Sequence, residues 1–166
     1  MLILELQLFH YLRGRVYMEK VAAGISREWY FDRRVAVYTA QSLNPHSLID
    51  WSKAVVESLA SWPTNADYIA IHDLSGTGMS LQFLMLTSYN ILNPWLTLNS
   101  EQHIRDWMAK HPHLNIHLGV VVSGSLSGQI TRRRAQTSVL EHERVVSRLF
   151  LDRDSALDWT SHLVTS

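Results

Sequence analysis

Asp67–His72 reads DYIAIH and carries an unbroken apolar run from Tyr68 to Ile71. A short apolar run of this kind is typical of a strand that is buried on both faces of a parallel sheet. The segment from Leu114 to Val122, LNIHLGVVV, has the same character and ends in β-branched residues. We predict that these two strands lie side by side and point the same way.

Other predicted strands flank this pair. The residues around Val21–Ala40 contain two β-favouring runs separated by the polar turn Asp32–Arg34, which indicates a hairpin. Val145–Leu151 forms a last strand. Because helical patterns separate most of these strands, they should pair in parallel.

Amphipathic patterns predict the helices. The first begins at Pro45 behind the capping residue Asn44, and its apolar residues recur every three or four positions. Further helices are predicted over Ser80–Leu92, from Asn99 or Ser100 to Lys110, over Gln129–His142, and after Asp152 or Asp154. The sequence therefore predicts an α/β fold with a mixed, mostly parallel sheet, an N-terminal hairpin and helices that cover the sheet.

The composition limits the domain organisation and the partners. A chain of 166 residues fits one domain, which we place at 18–166 after an extension of uncertain structure at 1–17. Fifteen basic and fifteen acidic residues balance, which argues against a nucleic-acid partner. The apolar start, Met1–Tyr11, is too short to cross a bilayer. The absence of cysteine fits a cytoplasmic protein and excludes cysteine-ligated metal sites. We also expect no membrane partner, no cofactor and no metal.

Three stretches resemble the STAS and SpoIIAA-like group, named for bacterial anti-sigma-factor antagonists. They are the hairpin with the helix from Pro45, the strand that ends in Asp73-Leu74-Ser75-Gly76, and the segment Leu149–Trp159 with its Ala-x-x-Trp helix. The resemblance implies a STAS-like fold and a regulatory, protein-binding role. The antagonists carry a phosphorylated serine in an Asp-Ser-x-Gly turn, and no such turn occurs here, so kinase control is not carried over.

The first candidate site is the loop that follows the strand Asp67–His72. Ligands of open α/β sheets gather at the carboxyl ends of the strands, and the next helix offers free N–H groups to an anion. Its hydroxyls are potential ligands or phosphorylation sites, although plain turn chemistry with Ser80 as a helix cap explains the same residues. The candidate binding residues are Asp73, Ser75, Gly76, Thr77 and Ser80.

A second candidate is the Ser/Gly loop after Val122 with the arginines beyond it. Arginine forks suit phosphate or carboxylate groups, so this loop extends the first site if the two central strands are neighbours. A solvated basic helical turn is the alternative. The candidate residues are Ser123, Ser125, Arg132, Arg133 and Arg134.

The helix Ser80–Leu92 is apolar nearly all round, so it is either buried or in contact with a partner. Phe83, Leu86 and Tyr89 are the candidate interface residues. They suggest a protein partner or a homodimer.

Two further possibilities remain open. His111, His113 and His117 resemble a metal cluster, but the chain shows no carboxylate placed to complete it. Ser75 close to His72 suggests a serine hydrolase, although no nucleophile elbow is present. We therefore expect a non-enzymatic regulatory or protein-interaction module. A protein that binds an acidic lipid or a phosphorylated metabolite is the alternative, and a hydrolase is the third possibility.

Overall fold

The computed structural model describes residues 17–88, 100–124 and 143–165. Six strands and four helices lie within these ranges. The strands are β1 (Tyr17–Ala22), β2 (Ile25–Tyr30), β3 (Val35–Ala40), β4 (Tyr68–Leu74), β5 (Ile116–Val122) and β6 (Val145–Phe150). The helices are α1 (Pro45–Ala60), α2 (Met79–Ser88), α3 (Ser100–Lys110) and α4 (Arg153–Thr165).

The strands form one sheet in chain order, β1-β2-β3-β4-β5-β6. β1, β2 and β3 pair antiparallel, whereas β3, β4, β5 and β6 pair parallel. We call the side where the four parallel strands end the carboxyl edge, and the opposite side the amino edge. The prediction of an α/β fold with a mixed sheet is confirmed, and so is the parallel pairing of β4 with β5.

Helices cover both faces of the sheet. Leu48 and Trp51 of α1, together with Trp107 and Met108 of α3, pack on one side, which we call the α1 face. Ala156 and Leu157 of α4 pack on the other side, the α4 face. Helices that connect parallel strands in chain order fall on one face when their crossovers share a hand, which leaves the opposite face to the helix after the last strand.

The structure adds one strand to the predicted hairpin. β1 pairs with β2, so the chain opens as a three-stranded meander. The β2–β3 turn also takes in Phe31, which shares a left-handed backbone conformation with Asp32 and Arg33 (φ 52°, 54° and 66°). The helix predicted over Gln129–His142 lies outside the described residues.

Side-chain contacts fix the helices in place. Asn44 and Ser47 form a reciprocal capping box at the start of α1, as predicted for Asn44. Asp152, and not Asp154, caps α4, because its carboxylate accepts the backbone N–H of Ser155 at 2.7 Å. Arg144 donates to the carbonyl oxygens of Met108, His111 and Leu114 at 2.8–3.0 Å, which holds the end of α3 against the sheet.

No helix within the described ranges has the length and apolar character needed to span a membrane.

Gly119 in β5 lets α4 approach the sheet closely. A Cβ at this position would lie 3.3 Å from Ile71 Cγ1, 3.4 Å from Trp159 Cζ3 and 3.5 Å from Phe150 Cε2. We expect Gly119→Val to lower the free energy of unfolding by about 2 kcal/mol, because overpacking forces α4 outward. Urea unfolding measures the loss, and an unchanged midpoint would contradict this packing.

Candidate functional site

The starts of the two loops predicted to share an edge lie side by side at the carboxyl edge, and the second loop is described only as far as Gly124. β4 and β5 pair from Tyr68↔Ile116 to Leu74↔Val122, so their ends lie side by side. Ser80 Oγ joins these ends, because it donates to Leu74 O at 2.9 Å and accepts the backbone N–H of Ser123 at 3.4 Å. Ser80 is the second residue of α2 and is buried, so its interpretation as the helix cap was wrong.

The loop itself is shorter than predicted. β4 continues through Asp73 and Leu74, which are buried, and only Ser75–Gly78 is exposed. Gly78 has a φ of +76°, a conformation that glycine adopts without strain. The exposed loop therefore consists of four small residues between a buried strand and a helix.

Asp73, a buried residue near the end of β4, anchors this loop. Its Oδ1 atom accepts the Ser75 hydroxyl at 2.6 Å and the Ser75 backbone N–H at 2.9 Å. Asp73 is 4% exposed, so its carboxylate needs polar partners in exchange for lost water. The two bonds from Ser75 satisfy one oxygen and set the direction in which the loop leaves the sheet.

The second oxygen of Asp73 faces a group of buried and half-buried polar side chains on the α4 face. Arg153, the first residue of α4, lies 3.9 Å from Asp73 Oδ2 and 2.7 Å from Glu28 Oε1. Its guanidinium also donates to the Tyr30 hydroxyl at 3.0 Å and to Thr39 Oγ1 at 3.4 Å. We call these five residues (Glu28, Tyr30, Thr39, Asp73 and Arg153) the Arg153 network.

The charge of Arg153 is firmly held. Burial opposes the charged form, but the hydrogen bond and the attraction to Glu28 outweigh burial and raise the pKa of Arg153. Burial is also the main reason why the pKa of Tyr30 is raised, so its hydroxyl stays protonated. The network thus joins two carboxylates to one guanidinium in a largely buried setting.

Two exposed apolar side chains lie at the same edge of the sheet as the loop. Leu81 in the first turn of α2 is 45% exposed, and Leu151 after β6 is 56% exposed. An open depression of about 300 Å³ lies between the ends of β5 and β6 and the first turn of α4. Its lining residues are Val122, Leu149, Phe150, Leu151, Asp152 and Ser155.

The remaining predicted site residues divide into two groups. Gly76 and Thr77 belong to the exposed loop, and Ser123 lies at the end of β5 beside it. Five others lie outside the described residues: Tyr89, Ser125, Arg132, Arg133 and Arg134. Leu86 lies within α2, but its side chain is not described.

Phe83 has a role that differs from the predicted interface. Its side chain is half-buried and packs edge-on against Trp51, with ring centroids 6.4 Å apart. It belongs to the core on the α1 face. Leu81, two residues earlier, is an exposed apolar residue of the described first turns of this helix.

His72 does not form the pair with Ser75 that a hydrolase requires. Its ring stacks on Tyr38 with centroids 5.4 Å apart, and it contacts Trp51 on the α1 face. The Ser75 hydroxyl instead bonds to Asp73, whose side chain points to the α4 face. Successive residues of a strand point to opposite faces, so His72 and Asp73 cannot serve the same site.

The histidines do not form a metal centre in the part of the chain that the structure describes. His117 instead bonds through Nε2 to Asp67 Oδ2 at 3.0 Å at the amino edge. Asp67 also accepts the backbone N–H of Asn115 at 2.8 Å. Burial opposes ionisation of Asp67, but the bonds from Asn115 and His117 outweigh burial and lower its pKa.

We expect Asp67→Ala to lower the free energy of unfolding at pH 7 by about 2 kcal/mol, since it leaves the buried His117 ring without its partner. The lowered pKa of Asp67 adds stability that is present above the ordinary aspartate value of 3.8 and is lost as the pH falls through the pKa of the folded state. Urea unfolding at pH 7 measures the loss, with Asp158→Ala as an exposed control. Equal midpoints for the two variants would contradict the role of Asp67.

Four members of the Arg153 network were not among the predicted site residues: Glu28, Tyr30, Thr39 and Arg153. One sequence signal for this network was present. Glu28 is a charged residue inside ISREWY, a segment that otherwise favours a buried strand. Nothing in the sequence connected it with Arg153, because the two lie far apart in the chain.

Comparison with known proteins gives no match to a family model, to a curated protein or to a solved structure.

Proposed function

We propose that this chain is a non-enzymatic regulatory module that binds a protein through the carboxyl edge. The surface consists of the loop Ser75–Gly78 with Leu81 and Leu151, and we call it the carboxyl-edge surface. The observation that supports the proposal is the contrast between an exposed loop and the buried Asp73 that anchors it. A binding loop held in place before contact loses less entropy when a partner docks.

The two leucines supply the apolar contact. Exposed large apolar side chains beside polar groups are typical of protein interaction sites. The hydroxyls of Ser75 and Thr77 and the depression beside Leu151 add polar and shape features to the same edge. Turn glycines alone would account for the loop but not for the exposed leucines.

We take a second copy of the chain as the first partner to test, as expected from the apolar character of α2. The resemblance of three sequence stretches to the STAS and SpoIIAA-like group is the reason for proposing a regulatory role. We place the protein in the cytoplasm, where disulfides are rare, because the chain contains no cysteine.

Analytical ultracentrifugation tests this assignment. We expect the wild-type chain to self-associate, and Leu81→Asp and Leu151→Asp to weaken the association at least about tenfold, because each places a charge in an apolar contact. Val146→Asp is the matched control, since Val146 is 38% exposed but lies near the start of β6, at the amino edge.

A thermal unfolding curve for each variant shows whether the fold is intact. A chain that stays monomeric at every concentration would refute the homodimer. Equal weakening by Val146→Asp would remove the carboxyl-edge surface from the proposal.

The depression beside Leu151 supports a second candidate, a small-molecule binding protein. It lies where ligands of open α/β sheets bind, and its lining combines apolar side chains with Ser155 and Asp152. The sequence-based form of this candidate assigns the acidic head group to Arg132–Arg134, which lie outside the described residues. Native mass spectrometry of freshly purified protein separates the candidates, because a binding protein retains extra mass and a homodimer shows twice the chain mass.

A further inference from the structure

Asp73 connects two parts of the molecule through its two oxygens. Oδ1 is occupied by the backbone and side chain of Ser75, at 2.9 and 2.6 Å. Oδ2 faces Arg153 at 3.9 Å, a distance too long for a hydrogen bond. The orientation of one carboxylate thus depends on the loop and on helix α4 together.

Arg153 is shared between two carboxylates. It lies 2.7 Å from Glu28 Oε1 but 3.9 Å from Asp73 Oδ2, so Glu28 holds it in the present arrangement. The side chains of Glu28 and Asp73 are 16% and 6% exposed, so water does little to weaken their competition for the guanidinium. If Ser75 released Asp73, the carboxylate would be free to turn towards Arg153 and draw it from Glu28.

We propose that the loop Ser75–Gly78 and the first turn of α4 are energetically coupled through Asp73 and Arg153. A change in the loop then alters how the start of α4 is held against β2 and β3, since Arg153 is the first residue of that helix and contacts Glu28, Tyr30 and Thr39. The use of this coupling in regulation rests on the proposed function. The coupling itself is a property of the free chain, so the two proposals can fail separately.

Amide hydrogen exchange followed by NMR on the full chain tests the coupling. The reporters in the loop are the amides of Ser75 and Met79, which bond to Asp73 Oδ1 and Gly76 O. The reporters in α4 are the amides of residues 155–157. The variants are Ser75→Ala, which removes one bond to Asp73, and Arg153→Lys, which keeps the charge but shortens the reach of the donor.

We expect each variant to accelerate amide exchange by about fivefold both in the loop and in the first turn of α4, because coupling between two sites is reciprocal. Asp73→Asn keeps an acceptor for Ser75 but loses the charge that faces Arg153, and it should raise exchange in both segments.

Ser58→Ala is the matched control for a general loss of stability. Ser58 Oγ bonds to Tyr38 and Arg27 on the α1 face, away from the Arg153 network. The β5 amides serve as an internal reference. The coupling is refuted if Ser75→Ala and Arg153→Lys each affect only their own segment, or if Ser58→Ala raises exchange in both segments as strongly.

Discussion

The free energy of unfolding should fall by about 2–3 kcal/mol as the pH drops from 6.5 to about 4, because His72 resists protonation in the folded chain. The ring lies against Tyr38 and Trp51, whose centroids are each 5.4 Å away. Burial lowers the pKa of His72 to about 4. The unfolded chain takes up a proton near pH 6.5, whereas the folded chain does not.

The direction in which the free energy of unfolding changes with pH follows from proton uptake. Between these two pH values the unfolded state binds more protons than the folded state, so stability rises with pH. The contribution is complete above pH 6.5, decreases through the window and is lost below about pH 4. The pKa values of Glu19 and Asp67 are lowered from their ordinary values of 4.5 and 3.8, so the stability that these carboxylates add is lost mainly below pH 4.5 and overlaps only the acidic end of this window.

Urea unfolding at a series of pH values measures this dependence. His72→Phe keeps an aromatic ring between Tyr38 and Trp51 and removes the titrating group, so its stability should vary little over the same window. His162→Gln is the control, since His162 is exposed and should leave the wild-type slope unchanged. A wild-type slope retained in His72→Phe would show that another group is responsible.

Arg153→Met should lower the free energy of unfolding by about 3 kcal/mol, because it leaves Glu28 and Asp73 buried without their shared cation. The Arg153 side chain is 28% exposed, so we expect a loss at the lower end of the range for breaking a buried ion pair. The variant also removes the bonds to Tyr30 and Thr39. Methionine keeps much of the length and apolar contact of the arginine stem.

Arg148→Met is the matched control. Arg148 is exposed and lies over the Trp159 ring at 5.5 Å, a contact worth about 0.5–1 kcal/mol. Combining Arg153→Met with Glu28→Gln should restore part of the loss, because one uncompensated carboxylate is removed. If Arg153→Met cost no more than Arg148→Met, the buried network would not hold α4.

The sequence predicted most of the fold because the periodicity of apolar residues is local. The runs at β4 and β5, the cap at Asn44 and the stripe of α1 each occupy a few neighbouring positions. β1 was missed because Tyr17–Ala22 reads YMEKVA and has little apolar periodicity. Pairing with β2 and the bond from Arg27 to Glu19 at 2.7 Å hold it instead.

The sequence by itself determined the α/β class, the neighbouring central strands and the position of Asp73 and Ser75 at their carboxyl edge. Only the tertiary structure decided which side chains meet there. Arg153 contacts Tyr30 across 123 positions, and His117 meets Asp67 across 50. Such pairs depend on how strands and helices stack, and local periodicity carries no information about contacts between distant segments.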